Sequence, residues 1–280
     1  MSLRCAILDD YQNVALKLAD WDKVKDRVEI KVFNEHLGGA DKVIGALQGF
    51  HIIVAMRERT GFPKNVIDAL PDLKLLITTG MRNASIDTEA AKARGVTVCG
   101  TGTFGNPTSG VAIGLMLELT RRIGFENARL HAGAPWQTTI GLDLEGMMLG
   151  IVGLGKLGVR TATIAKALGM KVLAWSQNLT AEKCREAGVD YATKDELFRR
   201  SDFITIHVVL SGRTRGLIGA AEFALMKPSA FLINTSRGPI IDEAALTTAL
   251  RQRKSPAPGL TYSMSSRCRS IILTAKWTMS

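Results

Sequence analysis

The chain has 280 residues, of which 46% are hydrophobic and 22% charged, and its formal net charge at pH 7 is +10. This composition is typical of a globular protein long enough for two domains, and it excludes disordered and fibrous classes. The four cysteines share no metal-ligand or disulfide-framework spacing, so we expect neither a zinc site nor disulfides. The N-terminus carries no apolar leader and no apolar run has membrane-spanning length, which predicts a cytoplasmic protein without a membrane partner.

The excess of basic residues does not by itself indicate a nucleic-acid partner. Arg267, Arg269 and Lys276 supply three of the positive charges from the last segment, and the other basic residues are spread along predicted helices among acids. Charges distributed in this way are typical of solvated helix faces. We therefore predict no nucleic-acid function, and small anions stay among the candidate partners.

The first hundred residues alternate β-rich runs with amphipathic stretches. Apolar runs predict strands at 4–10, 28–34, 51–56, 73–79 and 96–100. Helical spacing predicts helices at 11–21, 39–49, 63–72 and 87–95. This alternation predicts a parallel sheet covered by helices.

A longer helical pattern at 107–123 begins with Pro107 and Thr108, which suit a helix start, and is predicted to link two domains. Strand and helix patterns then alternate again. Strands are predicted at 147–153, 171–176, 202–209 and 230–236, and helices at 156–169, 181–188, 194–200 and 241–254. The fold class is therefore α/β, with two doubly wound parallel-sheet domains. The segment 255–280 shows neither helical nor strand periodicity.

The glycine-rich loop GLGKLG follows a predicted strand and opens a predicted helix. It places Gly153, Gly155 and Gly158 in GxGxxG register, with Lys156 and Leu157 between the last two. The first glycine permits a tight turn, the second lets the backbone approach phosphates, and the third allows close packing of helix on strand. A turn without a ligand is the alternative, but the context favours a dinucleotide pyrophosphate at the helix N-terminus.

The end of the next predicted strand bears on the type of dinucleotide. An Asp or Glu usually lies here, about 20 residues after the loop, and binds the adenosine ribose. This chain has Ser176, Gln177 and Asn178 instead, which are neutral and do not repel a 2′-phosphate. NADP is therefore at least as well accommodated as NAD, no Arg decides between them, and an ordinary polar turn is an equally good interpretation.

Several stretches in a fixed order resemble the D-isomer-specific 2-hydroxyacid dehydrogenases, the family that contains phosphoglycerate dehydrogenase, glyoxylate reductase and formate dehydrogenase. They are PDLKLLITTGMRNASID, GVTVCGTG with the helix after it, LEGMMLGIVGLGKLG, IHVVLSGRTRGLIG and MKPSAFLINTSRGPIIDEAAL. The resemblance implies a flavodoxin-like substrate domain at 1–102, a Rossmann NAD(P)-binding domain at 103–254, and a cleft between them. It also implies a homodimer, and it leaves 255–280 as an off-pattern tail.

The resemblance assigns the substrate, a small 2-oxo or 2-hydroxy acid, to two places. Arg237 resembles the family's substrate-binding arginine, whose planar guanidinium can hold a carboxylate through two bonds. The loop formed by Gly80, Met81, Arg82 and Asn83 resembles the one whose backbone N–H groups meet the same carboxylate. A solvated arginine and a simple turn are the alternatives, and the motif context favours the substrate roles. Cofactor contacts are implied for Thr214, Asn234, Thr235 and Ser236.

Two further catalytic motifs of the family are absent from this sequence. They are a Glu in A-G-L-D-V-x-x-x-E-P-L-P and a His in T-P-H, where the His transfers the substrate proton and the Glu orients its ring. The chain's histidines are His36, His51, His131 and His207, and we expect all four to be structural. By sequence alone the acid/base group is missing.

A slip of the reading frame at or next to Lys254 explains the missing motifs. With synonymous codons chosen freely, residues 255–280 read one base earlier can spell V-A-G-A-G-L-D-V-F-D-V-E-P-L-P-L-D-H-P-Y-R-K-M-D-N-V, the continuation that the family pattern predicts. On this map Ser266 stands where the catalytic Glu belongs. We therefore expect an NAD(P)-dependent oxidoreductase by ancestry whose activity is impaired in this chain. The alternative is a non-catalytic NAD(P) sensor, like the family's corepressors.

Overall fold

The computed structural model describes residues 2–102, 105, 107–252 and 274–276. These residues form two compact units, divided directly after Gly105. Within the described part of the chain, no helix is both long enough and apolar enough to cross a bilayer.

The first unit is a parallel sheet with helices. Its strands are β1 (Leu3–Ile7), β2 (Val28–Val32), β3 (Ile52–Ala55), β4 (Leu75–Thr78) and β5 (Thr97–Gly100), and its helices are α1 (Ala40–Leu47), α2 (Lys64–Asp68) and α3 (Thr88–Ala93). The strands pair in the order β2-β1-β3-β4-β5, all parallel. This is the flavodoxin-like order, so the predicted fold of this unit is confirmed.

The helix predicted for 11–21 does not form. Two short 3-10 turns, Ala15–Lys17 and Trp21–Lys23, occupy this segment instead. Asn13 adopts a φ of 53°, which interrupts an α-helix. The Asp10 carboxylate accepts the N–H groups of Val14 and Ala15 at 3.1 and 2.8 Å, so these donors are satisfied without helical hydrogen bonds.

The second unit contains a larger sheet. Its strands are β6 (Met148–Val152), β7 (Lys171–Trp175), β8 (Asp190–Tyr191), β9 (Phe203–Ile206), β10 (Phe231–Asn234) and β11 (Thr274–Lys276). Its helices are α4 (Pro107–Arg121), α5 (Ile123–His131), α6 (Lys156–Ala167), α7 (Ala181–Glu186), α8 (Lys194–Arg200), α9 (Ala220–Leu225) and α10 (Glu243–Gln252). The order is β11-β10-β9-β6-β7-β8. Five strands are parallel in the Rossmann arrangement, which confirms the predicted fold class.

One predicted boundary in this unit is wrong, and one short strand lies where no strand is predicted. The linking helix was predicted at 107–123, but α4 ends at Arg121, and Arg122 adopts a left-handed φ of 52° before α5 begins. Thr274–Lys276, in the segment expected to be without periodicity, pairs antiparallel with β10. Three residues are too few to show a period, and the open edge of β10 offers backbone groups for pairing. Most of 255–280, including Ser266, lies outside the described residues.

The central strands of the second unit lie in its core, which is why their sequences are mostly apolar. All residues of β9 and β10 are buried, as expected for parallel strands covered on both faces. The rings of Phe203 and Phe231, on these two neighbouring strands, stack with centroids 4.7 Å apart. This stack packs the starts of the two strands together, and the candidate site lies at their opposite, carboxyl ends.

Candidate functional site

The glycine-rich loop joins β6 to α6, as the motif predicts. Gly153 has a φ of +104°, and a Cβ on it would lie 2.8 Å from a methyl carbon of Val208 and 2.9 Å from the backbone carbon of His207. A Cβ on Gly158 would collide with the Gly153 carbonyl oxygen. These two glycines are therefore required by the fold, the first for the turn and the second for the packing of α6 on β6.

Gly155 differs from the other two glycines, because nothing in the structure requires it. It is the N-cap of α6, its φ is −87°, and a Cβ on it would meet no atom within 4 Å. Among the described residues, no side chain caps this helix end, so its first N–H groups are open to an anion. An open space directly before uncapped N–H donors fits a pyrophosphate.

The strand order places this loop at the switch point of the sheet. β6 lies between β7 and β9. The chain adds β7 and β8 on one side of β6 and then β9 and β10 on its other side. Ligands of doubly wound sheets bind at the carboxyl ends of strands flanking such a point. Ser176, at the end of β7, is partly buried, while Gln177 and Asn178 are exposed. The backbone N–H of Gly153 donates to the carbonyl of Trp175 at 2.8 Å, so loop and strand end are neighbours.

The other predicted cofactor residues follow β9 and β10 at the same edge of the sheet. The Thr214 hydroxyl accepts the Ser211 N–H at 2.8 Å and donates to the Val209 carbonyl at 2.7 Å, so it shapes its own loop. Asn234 is fully buried, and its amide nitrogen donates to the Arg237 carbonyl at 3.0 Å. These side-chain groups position backbone rather than point at a ligand.

The hydroxyl groups of Thr235 and Ser236, next to Asn234, differ from each other in their hydrogen bonding. The Ser236 hydroxyl donates to the Ile206 carbonyl at 2.8 Å and joins the ends of β9 and β10. The Thr235 hydroxyl is buried and has no hydrogen-bond partner among the described residues. A buried hydroxyl without a partner is costly, which fits a site completed by a bound molecule. The Arg237 guanidinium donates to the Ser236 carbonyl at 2.9 Å.

His207 directly follows β9 and lies against the glycine loop. Burial lowers the pKa of its imidazole from the ordinary 6.5 to about 4. Its Nε2 pairs with the Thr205 hydroxyl at 3.1 Å, and its Nδ1 is buried without a partner among the described residues. The ring is therefore neutral at physiological pH, which supports a structural role for it.

We expect His207 to make the stability of the chain pH-dependent. Because the folded-state pKa is lowered, the unfolded chain binds a proton first as pH falls through 6.5, and the contribution is fully present only above that value. Between pH 7 and pH 5 the free energy of unfolding should fall by about 2 kcal/mol from this group. Urea unfolding of the wild type and of His207→Gln at both pH values measures it. An equal pH dependence in the two proteins would contradict it.

The predicted substrate loop follows β4 in the first unit. Gly80 is buried with a φ of +95°, and its N–H donates to the Thr101 hydroxyl at 2.8 Å. That donor is therefore occupied. Within the part of the chain that the structure describes, the backbone N–H groups of Met81, Arg82 and Asn83 have no hydrogen-bond partner. Successive free N–H groups of this kind form a site for a carboxylate.

Arg57, which the sequence did not single out as a site residue, lies against this loop. A Cβ on Gly80 would overlap the Arg57 guanidinium. The Arg57 N–H and its Nη1 donate to the hydroxyl and the carbonyl of Thr79 at 3.1 and 3.3 Å. The Asn83 amide donates to the Thr78 hydroxyl at 3.0 Å and to the Arg57 carbonyl. Arg57 has a φ of +52°, and such backbone is characteristic of constrained sites.

A cavity of about 670 Å³ lies beside the loop, between it and the edge strand β5. Arg82 and Lys92 both line it, and among the described residues no carboxylate does. Its walls otherwise come from β5, the loop and the segment that carries α3. A Cβ on Gly100 would lie 2.8 Å from the Gly80 carbonyl oxygen. The space and its positive charge suit a small anion.

Two family models match the chain. One, described as the D-isomer specific 2-hydroxyacid dehydrogenase catalytic domain, matches residues 5–112. The other, the NAD binding domain of the same family, matches residues 113–260. The cofactor is therefore NAD or NADP, in agreement with the glycine loop.

Individual relatives agree with these matches. The chain is 36% identical over 207 residues to the glyoxylate reductase of Thermococcus litoralis. The aligned region covers 70% of this chain and 62% of that protein. The crystal structure of a phosphoglycerate oxidoreductase from Vibrio cholerae has a TM-score of 0.84 and 31% identity, covering 92% of this chain and 86% of that one. The apo structure of D-lactate dehydrogenase from Escherichia coli has a TM-score of 0.74 and 26% identity, covering 89% and 79%.

Proposed function

Because the chain belongs to the D-isomer-specific 2-hydroxyacid dehydrogenase family, we propose that its native activity is hydride transfer between a nicotinamide and a small 2-oxo or 2-hydroxy acid. The observation that carries this proposal is the glycine loop, with Gly155 open before the uncapped N-terminus of α6. When bound there, NAD or NADP supplies the hydride chemistry.

The roles of the protein's own residues follow from their donors. The free N–H groups of Met81, Arg82 and Asn83 hold the substrate carboxylate in the first unit. For Arg237 we propose a contact to a substrate carboxylate, which its planar guanidinium suits. Both are cationic or donor-only groups, so they select an acid over a neutral carbonyl compound.

We propose further that the chain as written turns over slowly. The stretch after Lys254 has Ser266 where the family pattern has Glu, and no histidine stands in a T-P-H motif. His207 cannot substitute, because its pKa of about 4 leaves it without a proton to donate at neutral pH. Without the acid/base pair, the loss in rate is about 10²- to 10⁴-fold.

Fluorescence titration with NADH and with NADPH, followed by assays with glyoxylate and hydroxypyruvate, tests these proposals separately. We expect saturable binding of at least one dinucleotide and turnover far below that of an intact relative. Turnover within tenfold of such a relative would contradict the impairment, and no binding of either dinucleotide would contradict the function. The neutral end of β7 makes the NADPH titration informative about the cofactor.

Binding without turnover is also what a non-catalytic NAD(P) sensor would show. A sensor and a frame-shifted enzyme differ in the reading frame of the gene after codon 254. A sensor keeps the written frame and an ordered, functional segment after Lys254. Resequencing the source gene from codon 240 onward distinguishes them. If one inserted or deleted base near codon 254 restores the E-P and T-P-H motifs, the native protein is an enzyme.

A homodimer is the proposed assembly, and the second unit offers a surface for it. Large apolar side chains are exposed on α5 and the segment after it: Ile123 at 56%, Leu130 at 52%, Trp136 at 76% and Ile140 at 99%. The Glu126 carboxylate accepts the Thr139 hydroxyl at 2.6 Å and the Thr138 N–H at 3.1 Å, which fixes that segment on α5. Several large apolar side chains that are exposed on one ordered segment favour a protein partner.

We expect Ile140→Asp to weaken the dimer by at least about 100-fold in Kd, because a two-fold interface loses the burial of two side chains at about 1.5–3 kcal/mol each. Sedimentation velocity over a range of protein concentrations measures this. The matched control is Leu18→Asp, which replaces an apolar residue of the first unit that is 78% exposed. Equal effects of the two substitutions, or a monomeric wild type, would contradict the proposed interface.

A further inference from the structure

The ends of three strands in the first unit meet at one buried carboxylate, that of Asp9. Its side chain is 1% exposed. Its Oδ2 accepts the Thr60 hydroxyl at 2.7 Å, and its Oδ1 accepts the Tyr11 hydroxyl at 3.2 Å and lies 3.1 Å from His36 Nδ1. These partners follow β3, β1 and β2, so a single side chain joins the three segments.

The segment after β3 is also held by the backbone of Asp9. Arg59 Nη1 donates to the Asp9 carbonyl at 2.7 Å, and its guanidinium lies 4.5 Å from the centre of the Tyr11 ring. Asp9 itself has a φ of +57°, which is uncommon for a residue other than glycine. A backbone of this kind persists only where its surroundings determine it fully.

The same segment reaches the substrate loop through Arg57. Thr60 and Arg59 are bound to Asp9, while Arg57, at the start of the segment, is hydrogen-bonded to Thr79 and receives the Asn83 amide. The free N–H groups follow directly after Thr79 and Gly80. Asp9 is thus connected to the loop by a short series of hydrogen bonds and covalent links.

We propose that Asp9 is a positioning residue for the substrate loop. By holding Thr60 through its carboxylate and Arg59 through its backbone carbonyl, Asp9 fixes Arg57 against Gly80 and keeps the N–H groups of 81–83 aimed at one point. Donors fixed in advance bind a carboxylate without an ordering cost. The assignment rests on the proposed function only in taking that loop to be the substrate site.

The neighbouring Asp10 provides a matched control. It is 2% exposed, but among the described residues its carboxylate accepts only the N–H groups of Val14 and Ala15. Asp9→Asn and Asp10→Asn therefore both remove a buried negative charge beside β1. Only the first of them alters the contacts to Thr60 and His36.

Amide hydrogen exchange, followed residue by residue by NMR in the full chain, is the test. The informative amides are those of Arg57, Gly80 and Ser85, each of which donates to a side chain around the loop. We expect Asp9→Asn to accelerate their exchange by about tenfold and Asp10→Asn to leave it within about twofold of the wild type. Equal exchange in the two variants would overturn the proposal.

A second variant covers the case in which Asp9→Asn does not fold. Thr60→Val keeps the Asp9 carboxylate and the shape of residue 60 but removes the hydroxyl that donates to Oδ2. It should accelerate exchange at the same three amides, by about threefold. Wild-type exchange rates in a folded Thr60→Val protein would overturn the proposal.

Calorimetric titration with glyoxylate separates this inference from the proposed function. If the wild type binds glyoxylate, Asp9→Asn should weaken binding about five- to tenfold while NADH affinity stays unchanged. Unchanged glyoxylate affinity in that variant would overturn the positioning role. If the wild type does not bind glyoxylate but the exchange rates respond as expected, the positioning role stands and the substrate assignment of the loop fails.

Discussion

Gly155→Ala should lower the affinity for NADH by about 30- to 100-fold, equivalent to about 2–3 kcal/mol, while the midpoint of thermal unfolding changes by less than about 2 °C. The reason is the space before α6. A Cβ on Gly155 meets no protein atom within 4 Å, and the φ of this residue is acceptable for any amino acid. The added methyl group therefore occupies only the volume that a pyrophosphate would take.

The other glycines of the loop behave differently in the same experiment. Gly153→Ala puts a Cβ into a backbone of φ +104° and within 3.0 Å of His207, so it should destabilise the folded chain as well as abolish binding. Gly110, inside α4, is the matched control, since a Cβ there also meets nothing within 4 Å. Gly110→Ala should stabilise the helix by about 0.5–1 kcal/mol and leave NADH affinity unchanged.

Intrinsic protein fluorescence with added NADH gives the affinity, and differential scanning calorimetry gives the stability. The comparison decides between the two interpretations of the motif. If Gly155→Ala binds NADH as well as the wild type does, the loop is only a tight turn and the dinucleotide site is elsewhere. A loss of affinity without a loss of stability is not explained by a structural role.

The sequence was sufficient for the order of elements in the second unit because its central strands β6, β9 and β10 are almost wholly buried. The largely apolar run of β9 and the GxGxxG loop each have a single good structural interpretation, and together they specify the Rossmann order. Ser176 directly follows β7 and Asn234 is the last residue of β10, so strand prediction alone places both at the carboxyl edge of the sheet. What the motif could not reveal is the difference among the glycines, which depends on the atoms opposite each Cβ.

The sequence failed where a side chain replaces a regular hydrogen-bond pattern. Residues 11–21 have helical spacing, but the Asp10 carboxylate takes two of the N–H groups that a helix would use. The roles of Asp9 and Arg57 depend on positive φ angles and on partners far along the chain, such as Thr79 for Arg57. No local periodicity contains that information.

Inserting one base into codon 254, so that each later codon begins one base earlier, should raise kcat/KM for glyoxylate or hydroxypyruvate by about 10²- to 10⁴-fold. Up to Lys254 the chain carries the glycine loop, Arg237 and the loop at 80–83, so the proposed binding groups are already present. Restoring the family's Glu and His motifs would add the proton transfer that His207, with a pKa of about 4, does not supply. The gain should therefore lie in kcat more than in KM.

The control is an insertion of three bases at the same codon, which adds a residue and leaves the written frame. It disturbs the end of α10 in the same place but should leave turnover at the level of the unaltered chain. If both insertions are equally inactive while NADH still binds, the frame hypothesis is wrong and the non-catalytic sensor is the better proposal. If only the one-base insertion is active, and its rate falls at least about 100-fold on Arg237→Ala, then the carboxylate-binding groups assigned here belong to a complete dehydrogenase site.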